Sequence, residues 1–130
     1  MKDTYHDNKA VQALAPAVKA ASENGAAIAL AGFDSALIII NTGAIVGAGD
    51  FGVKLQESDT TTSGDFTDVV AADQLGTVPA TLAADSTYRV GCIGSMRKKF
   101  VRAVVTKAGG TSIALSAVAI LGHPAISPVA

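Results

Sequence analysis

Ser86 to Thr106 reads STYRVGCIGSMRKKFVRAVVT. Tyr88, Val90 and Cys92 alternate with Arg89 and Gly91, so they share one face of an extended strand. Phe100 to Lys107 supplies a second strand. The segment reads as two β-strands around a short basic turn, with Arg97, Lys98 and Lys99 at or beside the tip and Arg89 and Arg102 on the arms. It also marks a charge boundary. Residues 1–85 carry 11 acids and 4 bases, residues 86–130 carry 6 bases and no acid, and the formal charge of −1 hides this division. One acidic part and one basic part suit head-to-tail contacts or docking on an acidic partner, not an active site.

Outward from this stretch the chain keeps the same grain. Phe33 to Asn41, FDSALIIIN, carries four successive apolar residues and predicts a central strand covered on both faces. Thr42 to Asp50 predicts a glycine-punctuated loop. Phe51 to Ser58 alternates, with Phe51, Val53 and Leu55 on one side, and the polar turn Asp59–Asp65 returns it into a strand at Phe66–Val70. Val18–Ala21 and Ala26–Leu30 flank Asn24-Gly25, a hairpin signal because both central residues of a type I′ turn take positive φ. Ala71 to Asp85 predicts a long connection between sheets that begins with a helical turn at Ala71–Leu75 and is broken by Pro79. After Gly109-Gly110, the β-branched residues of Thr111–Leu121 favour a strand over a helix.

Roughly seven to nine short strands with turns between them predict an all-β fold, an antiparallel β-sandwich of which the jelly roll is one form. Residues 18–122 form this domain. Residues 1–17 and 123–130 are expected as extended N- and C-terminal arms. Val11 and Leu14 on the first arm, with Ile126 and Val129 on the last, suit contact with a neighbouring subunit, because disordered tails normally avoid such residues.

Apolar residues make up 49% of the chain but aromatic ones only 5%, and there is no Trp, so the core must be built from Ala, Val, Ile and Leu. The lone Cys92 allows no intrachain disulfide and is expected to be a small buried hydrophobe. The polar, acid-bearing start predicts no secretory leader. The apolar run Ile113–Leu121 is far shorter than the ~20 residues a membrane span needs, so a soluble protein is expected.

The chemistry-bearing residues do not assemble into a motif. His6 and His123 lie near opposite ends, with no zinc spacing. Glu57, Asp59, Asp65 and Asp68 cluster at one turn without the order of a calcium-binding loop. Gly47-Ala48-Gly49 lacks the helix and the lysine of a phosphate loop. The run Arg97-Lys98-Lys99 has only Tyr88 and Phe100 as nearby aromatics, and Tyr88 shares the core face with Val90 and Cys92, so a protein contact or a solvated tip is expected over nucleic acid. No enzyme, cofactor or metal is expected. A carbohydrate-binding sandwich needs exposed aromatics, and this chain has few.

Two stretches, KLQESDTTTSGDFTDV at Lys54–Val69 and STYRVGCIGSMRKKFVRAVVT at Ser86–Thr106, resemble a group of small structural proteins of tailed bacteriophages and prophages encoded among the head genes. The sequence departs from that group at Cys92, where an aromatic is common, and in its longer basic turn. The resemblance implies a virion component made in the bacterial cytoplasm, a head decoration or cement protein. Its partners would be the major capsid protein and other copies of itself, as a trimer or another symmetric oligomer on the capsid surface. A tail, neck or connector protein is the alternative. The expected contact residues are Arg89, Arg97, Lys98, Lys99, Arg102, Val11 and Leu14.

Overall fold

Alternating burial along the long strands sets the layering. The computed structural model describes residues 4–69, 74–77, 79–93 and 98–124. A single helical turn, α1 (Thr4–Asp7), precedes β1 (Lys9–Lys19), β2 (Glu23–Asn24), β3 (Ile28–Ala29), β4 (Phe33–Val46) and β5 (Asp50–Ser58). A 3-10 turn at Ser63–Asp65 leads to β6 (Thr67–Asp68), β7 (Gln74–Leu75), β8 (Thr87–Ile93), β9 (Phe100–Gly109) and β10 (Ser112–Pro124). One sheet runs β1-β10-β4-β8-β7 and the other β2-β9-β5-β6, with β3 also on β9. Every pairing is antiparallel, and the two sheets make a β-sandwich. The strand expected after Gly109-Gly110 is β10, at the heart of the first sheet.

The core lies between the sheets. Ile38, Ile40, Val90, Cys92, Ile113 and Leu121 face inward from the first sheet, and Phe51, Leu55, Val101 and Val105 from the second, all at 2% exposure or less. Each such aliphatic or aromatic side chain contributes about 1.5–3 kcal/mol over an exposed one. Cys92 is buried as its residue type suggests.

Consecutive strands here often face each other across the core instead of pairing. The turn at residues 47–49 carries the chain from β4 in the first sheet to β5 in the second, and residues 110–111 carry it back from β9 to β10. Because β4 pairs β10 and β5 pairs β9, these two arches stack side by side. β4 runs through Thr42 to Val46, so the expected loop shrinks to Gly47–Gly49. The buried Thr42 is what extends it: its hydroxyl donates to the Ala83 carbonyl at 2.6 Å and accepts from the Ser86 amide at 2.9 Å.

The same principle corrects the basic hairpin. β8 pairs β4 and β7, whereas β9 pairs β5, β2 and β3. Val90 and Cys92 therefore enter the same core as Val101, Ala103 and Val105 from the opposite sheet, with Tyr88 packed against it, and the two arms belong to different sheets. Residues 94–97, including Arg97, lie outside the described residues.

Asn24-Gly25 is not a hairpin turn either. Gly25 donates its amide to the Ala103 carbonyl at 2.7 Å while Ala26 donates to Ala13 at 3.2 Å, which ties the edges of both sheets together. A Cβ on Gly25 would fall 2.5 Å from each of those carbonyl oxygens, so glycine is required here by close approach.

The first arm is extended but not detached: β1 is an edge strand on β10, from Lys9 opposite Leu121 to Lys19 opposite Ile113. Its register shifts between Gln12 and Leu14 and again between Leu14 and Ala17. The second irregularity accommodates Pro16, which has no amide to donate and is tolerated on an edge. At the other end His123 and Pro124 still belong to β10, and residues 125–130 lie outside the described set.

Gln74 and Leu75 form strand β7 where a helical turn was expected, because Cys92 and Gly91 offer them a sheet edge; residues 71–73 are outside the description. The connection after Pro79 was expected to pass between the sheets, but it runs from β7 to β8 within the first sheet and touches the second through its backbone hydrogen bonds. Leu82 plugs the core and donates to Phe51 of the second sheet, while Asp85 donates to Gly43 of the first. The hairpin over the polar turn is present, with Gln56 and Glu57 opposite Asp68 and Thr67.

Candidate functional site

The outer faces of the two sheets differ in kind. On the second sheet the outward residues of β5 and β9 form a polar network. Arg102 is only 7% exposed. Its guanidinium donates to Gln56 Oε1 at 3.0 and 2.7 Å and to Ser63 Oγ at 3.0 Å, and it lies 4.2 Å over the Phe66 ring. Gln56 in turn donates to Asp68 at 2.8 Å, and Asp68 pairs with Lys54 at 3.1 Å. That face is internally satisfied.

On the first sheet the register aligns two rows across the outer face. One is Ala10, Ile120, Leu37, Gly91 and Leu75; the other is Gln12, Val118, Ile39 and Arg89. Leu37, Ile39, Val118 and Ile120 are half-buried and Leu75 is 54% exposed. The prediction that β4 is covered on both faces is thus corrected: Ala36, Ile38 and Ile40 enter the core, whereas Leu37 and Ile39 look outward between neighbouring strands. Gly91, lacking a side chain between Leu37 and Leu75, opens a trough of about 900 Å³. A second hollow of about 550 Å³ adjoins the Ile39–Val118 row. At one end of the trough the Ser35 hydroxyl and His123 Nδ1 are 2.8 Å apart.

The expected contact residues divide. Arg89 is exposed on the trough rim, and among the described residues no carboxylate forms an ion pair with it. Lys98 and Lys99 are exposed, and the Lys99 amide donates to Asp59 at 3.4 Å. Arg102 is turned into its own domain by the network above. Leu14, 3% exposed, is core, and Val11 packs against that core, so their apolar surface is used within the chain. Arg97 is outside the described residues.

The other motifs are absorbed locally. Asp65 accepts from Thr60 Oγ1 at 2.7 Å. His6 makes an edge contact with Tyr5. Among the described residues no three of His, Cys, Asp and Glu converge to hold a metal, and no helix is long and apolar enough to cross a membrane.

Hydrogen bonding from Gln56, then from Lys54, holds the Asp68 carboxyl below its ordinary value. A depressed folded-state value stabilises the fold above the unfolded carboxyl range and is lost as pH falls through the folded value. Asp68 is exposed, so the stability effect is small. In an NMR pH titration, Asp68 should titrate below a model aspartate, and Gln56→Leu should raise its midpoint more than Lys54→Met does. The reverse order would remove Gln56 as the main cause.

No family model matches the chain, and no curated protein matches it in sequence. Among solved structures it is similar to the SPBc2 prophage-derived protein YomS, with TM-score 0.57 and 12% identity over 88% of this chain and 92% of that one. At that identity the likeness shows a shared fold. PirA, at TM-score 0.41 and 14% identity, covers 95% of this chain and 99% of its own. A chain of the disulfide-linked pili of Bacillus endospore appendages, at TM-score 0.41 and 11% identity, covers 91% of both.

Proposed function

We propose that the chain is a structural protein of a phage virion, and within that class a head decoration protein bound to the outside of the capsid as a symmetric homo-oligomer. The observation that carries this reading is the fold likeness to a prophage-derived protein along 88% of the chain. It joins the resemblance of Lys54–Val69 and Ser86–Thr106 to phage head proteins. A subunit that binds only the mature shell stabilises it by mass action, and contacts repeated over a symmetric lattice add through avidity. Lys98 and Lys99 are exposed and can meet acidic groups on the shell.

Quantitative mass spectrometry of purified virions tests the proposal. A copy number comparable to the major capsid protein is expected. A few copies per particle would move the chain to the neck, connector or tail, and absence from virions would discard the structural reading. Reversing both charges, Lys98→Glu with Lys99→Glu, should weaken attachment to shells roughly tenfold and flatten its dependence on salt. Unchanged attachment would remove the electrostatic part.

A further inference from the structure

We infer that Asn24 is a latent modification site: the fold holds its conversion to isoaspartate in check through the amide of Gly25, and the conversion, once made, unties the two sheets. The inference is independent of where the protein acts. It starts from the single Asn-Gly pair of the chain, Asn24-Gly25. In a flexible chain such a pair is a reactive setting for asparagine, because glycine puts no side chain in the way of its own nitrogen. The reaction balances with water alone. Gly25 N loses its proton and bonds to Asn24 Cγ, the Cγ–Nδ2 bond breaks, and ammonia leaves carrying a proton. Water then opens the succinimide ring. Opening at Cγ gives aspartate, and opening at the backbone carbonyl carbon gives isoaspartate, with the main chain running through Cγ.

The structure restrains the attacking nitrogen, not the carbon under attack. Asn24 is exposed, and among the described residues its carboxamide makes no hydrogen bond. Gly25 donates its amide to the Ala103 carbonyl at 2.7 Å, and β2 sets Glu23 and Asn24 opposite Val105 and Val104. A proton engaged in that bond is kept from solvent, and a nitrogen aimed at Ala103 is not aimed at Asn24 Cγ. β2 is only two residues long, so the bond is freed by local opening and not by unfolding of the whole domain.

The same geometry rejects the product. Isoaspartate lengthens the main chain by one carbon, about 1.5 Å. Gly25 has no slack to absorb it: a Cβ there would fall 2.5 Å from the carbonyl oxygens of both Ala13 and Ala103 and 3.3 Å from Leu14 Cδ2. The bonds from Gly25 to Ala103 and from Ala26 to Ala13, which tie the sheet edges together, are then lost as a pair. Close approach demands glycine after Asn24, and the same close approach disarms the reactive pair that results.

The purified full chain is aged in mildly alkaline buffer, folded and in guanidinium chloride, and Asn24 is followed by peptide mapping with isoaspartate-specific enzymatic methylation. Conversion in the folded chain should be at least roughly tenfold slower than in the unfolded one. The Gly25 amide, read by hydrogen exchange on the folded chain, should be slowed by about the same factor, because both reactions wait for the same N–H. Equal ageing rates overturn the inference, as does a Gly25 amide that exchanges as in the unfolded chain. The aged isoaspartate form, separated by chromatography, should melt about 5 °C or more below the parent. Asn24→Asp, with the same charge on an ordinary main chain, should melt with the parent. An aged form as stable as the parent, or an Asn24→Asp variant that melts as low as the aged form, would overturn the untying of the sheets by the lengthened main chain.

Discussion

Gly110→Ala should cost about 3 kcal/mol of folding stability and lower the melting midpoint by on the order of 10–15 °C. Two causes act together. Gly110 has φ +74°, a left-handed conformation that costs an L-residue about 1–2 kcal/mol. A Cβ there would also run into the backbone carbonyl of Ala48 and come within 2.5 Å of the Gly49 Cα. Neither is the end of a flexible side chain, so the whole turn must move, and overpacking of this kind costs a further ~1–3 kcal/mol. The two arches joining the sheets are stacked at this point, so a shift in one displaces the other. Gly109→Ala is the control. No atom lies within 4 Å of its added Cβ, and the substitution should be neutral or slightly stabilising. Equal melting of both variants in differential scanning calorimetry would show that the arches do not bear on each other.

The arches also mark the limit of what the sequence conveys. Strand positions were legible where one face is buried: Phe51, Val53 and Leu55 alternate, as do Tyr88, Val90 and Cys92. The antiparallel sandwich follows from such runs. Partner choice did not follow. Two alternating strands joined by a turn satisfy the same pattern whether they hydrogen-bond as a hairpin or face each other across a core, because in both cases every second residue is buried. β8 and β9 took the second course, and so did β4 and β5. Asn24-Gly25 carried a turn signal for a different physical reason, close approach between two carbonyls, which no dihedral preference encodes.

The candidate face was half legible. Leu37 to Ile40 stood out as an apolar run, and the simplest account of such a run is cover on both sides. That every second residue stays open to the exterior depends on there being no third layer over the sheet among the described residues, a fact of tertiary structure. Arg89 was read as a contact base on an arm of the basic segment, and it is exposed on the trough rim. Its actual neighbours, Ile39 and Leu37, come from a strand some fifty residues earlier in the chain. Leu14 shows the converse error: an apolar residue in a segment with weak periodicity looked free for a neighbour, and the irregular register of β1 delivers it to its own core.

Arg102 is the other place where a substitution should act strongly, and it acts on the fold. Arg102→Ala is expected to cost about 2–4 kcal/mol, read by urea unfolding. The loss has three parts. The Gln56 carbonyl and Ser63 hydroxyl lose charge-assisted bonds in a site that is 7% exposed, the Phe66 ring loses the cation above it, and the side-chain stem leaves a gap. Arg102→Lys should recover little. A single ammonium cannot stack flat on Phe66 and bond both Gln56 and Ser63, which lie on different sides of the planar fork. The damage should be local as well as global: amides between Ser58 and Asp68 should exchange faster, because the network pins that turn and β6 to the sheet. Since the charge is spent inside the domain, Arg102→Lys should leave the salt dependence of shell attachment as it is, whereas reversing Lys98 and Lys99 should not. A lysine variant as stable as the parent would mean that charge alone, without the fork, holds this corner together.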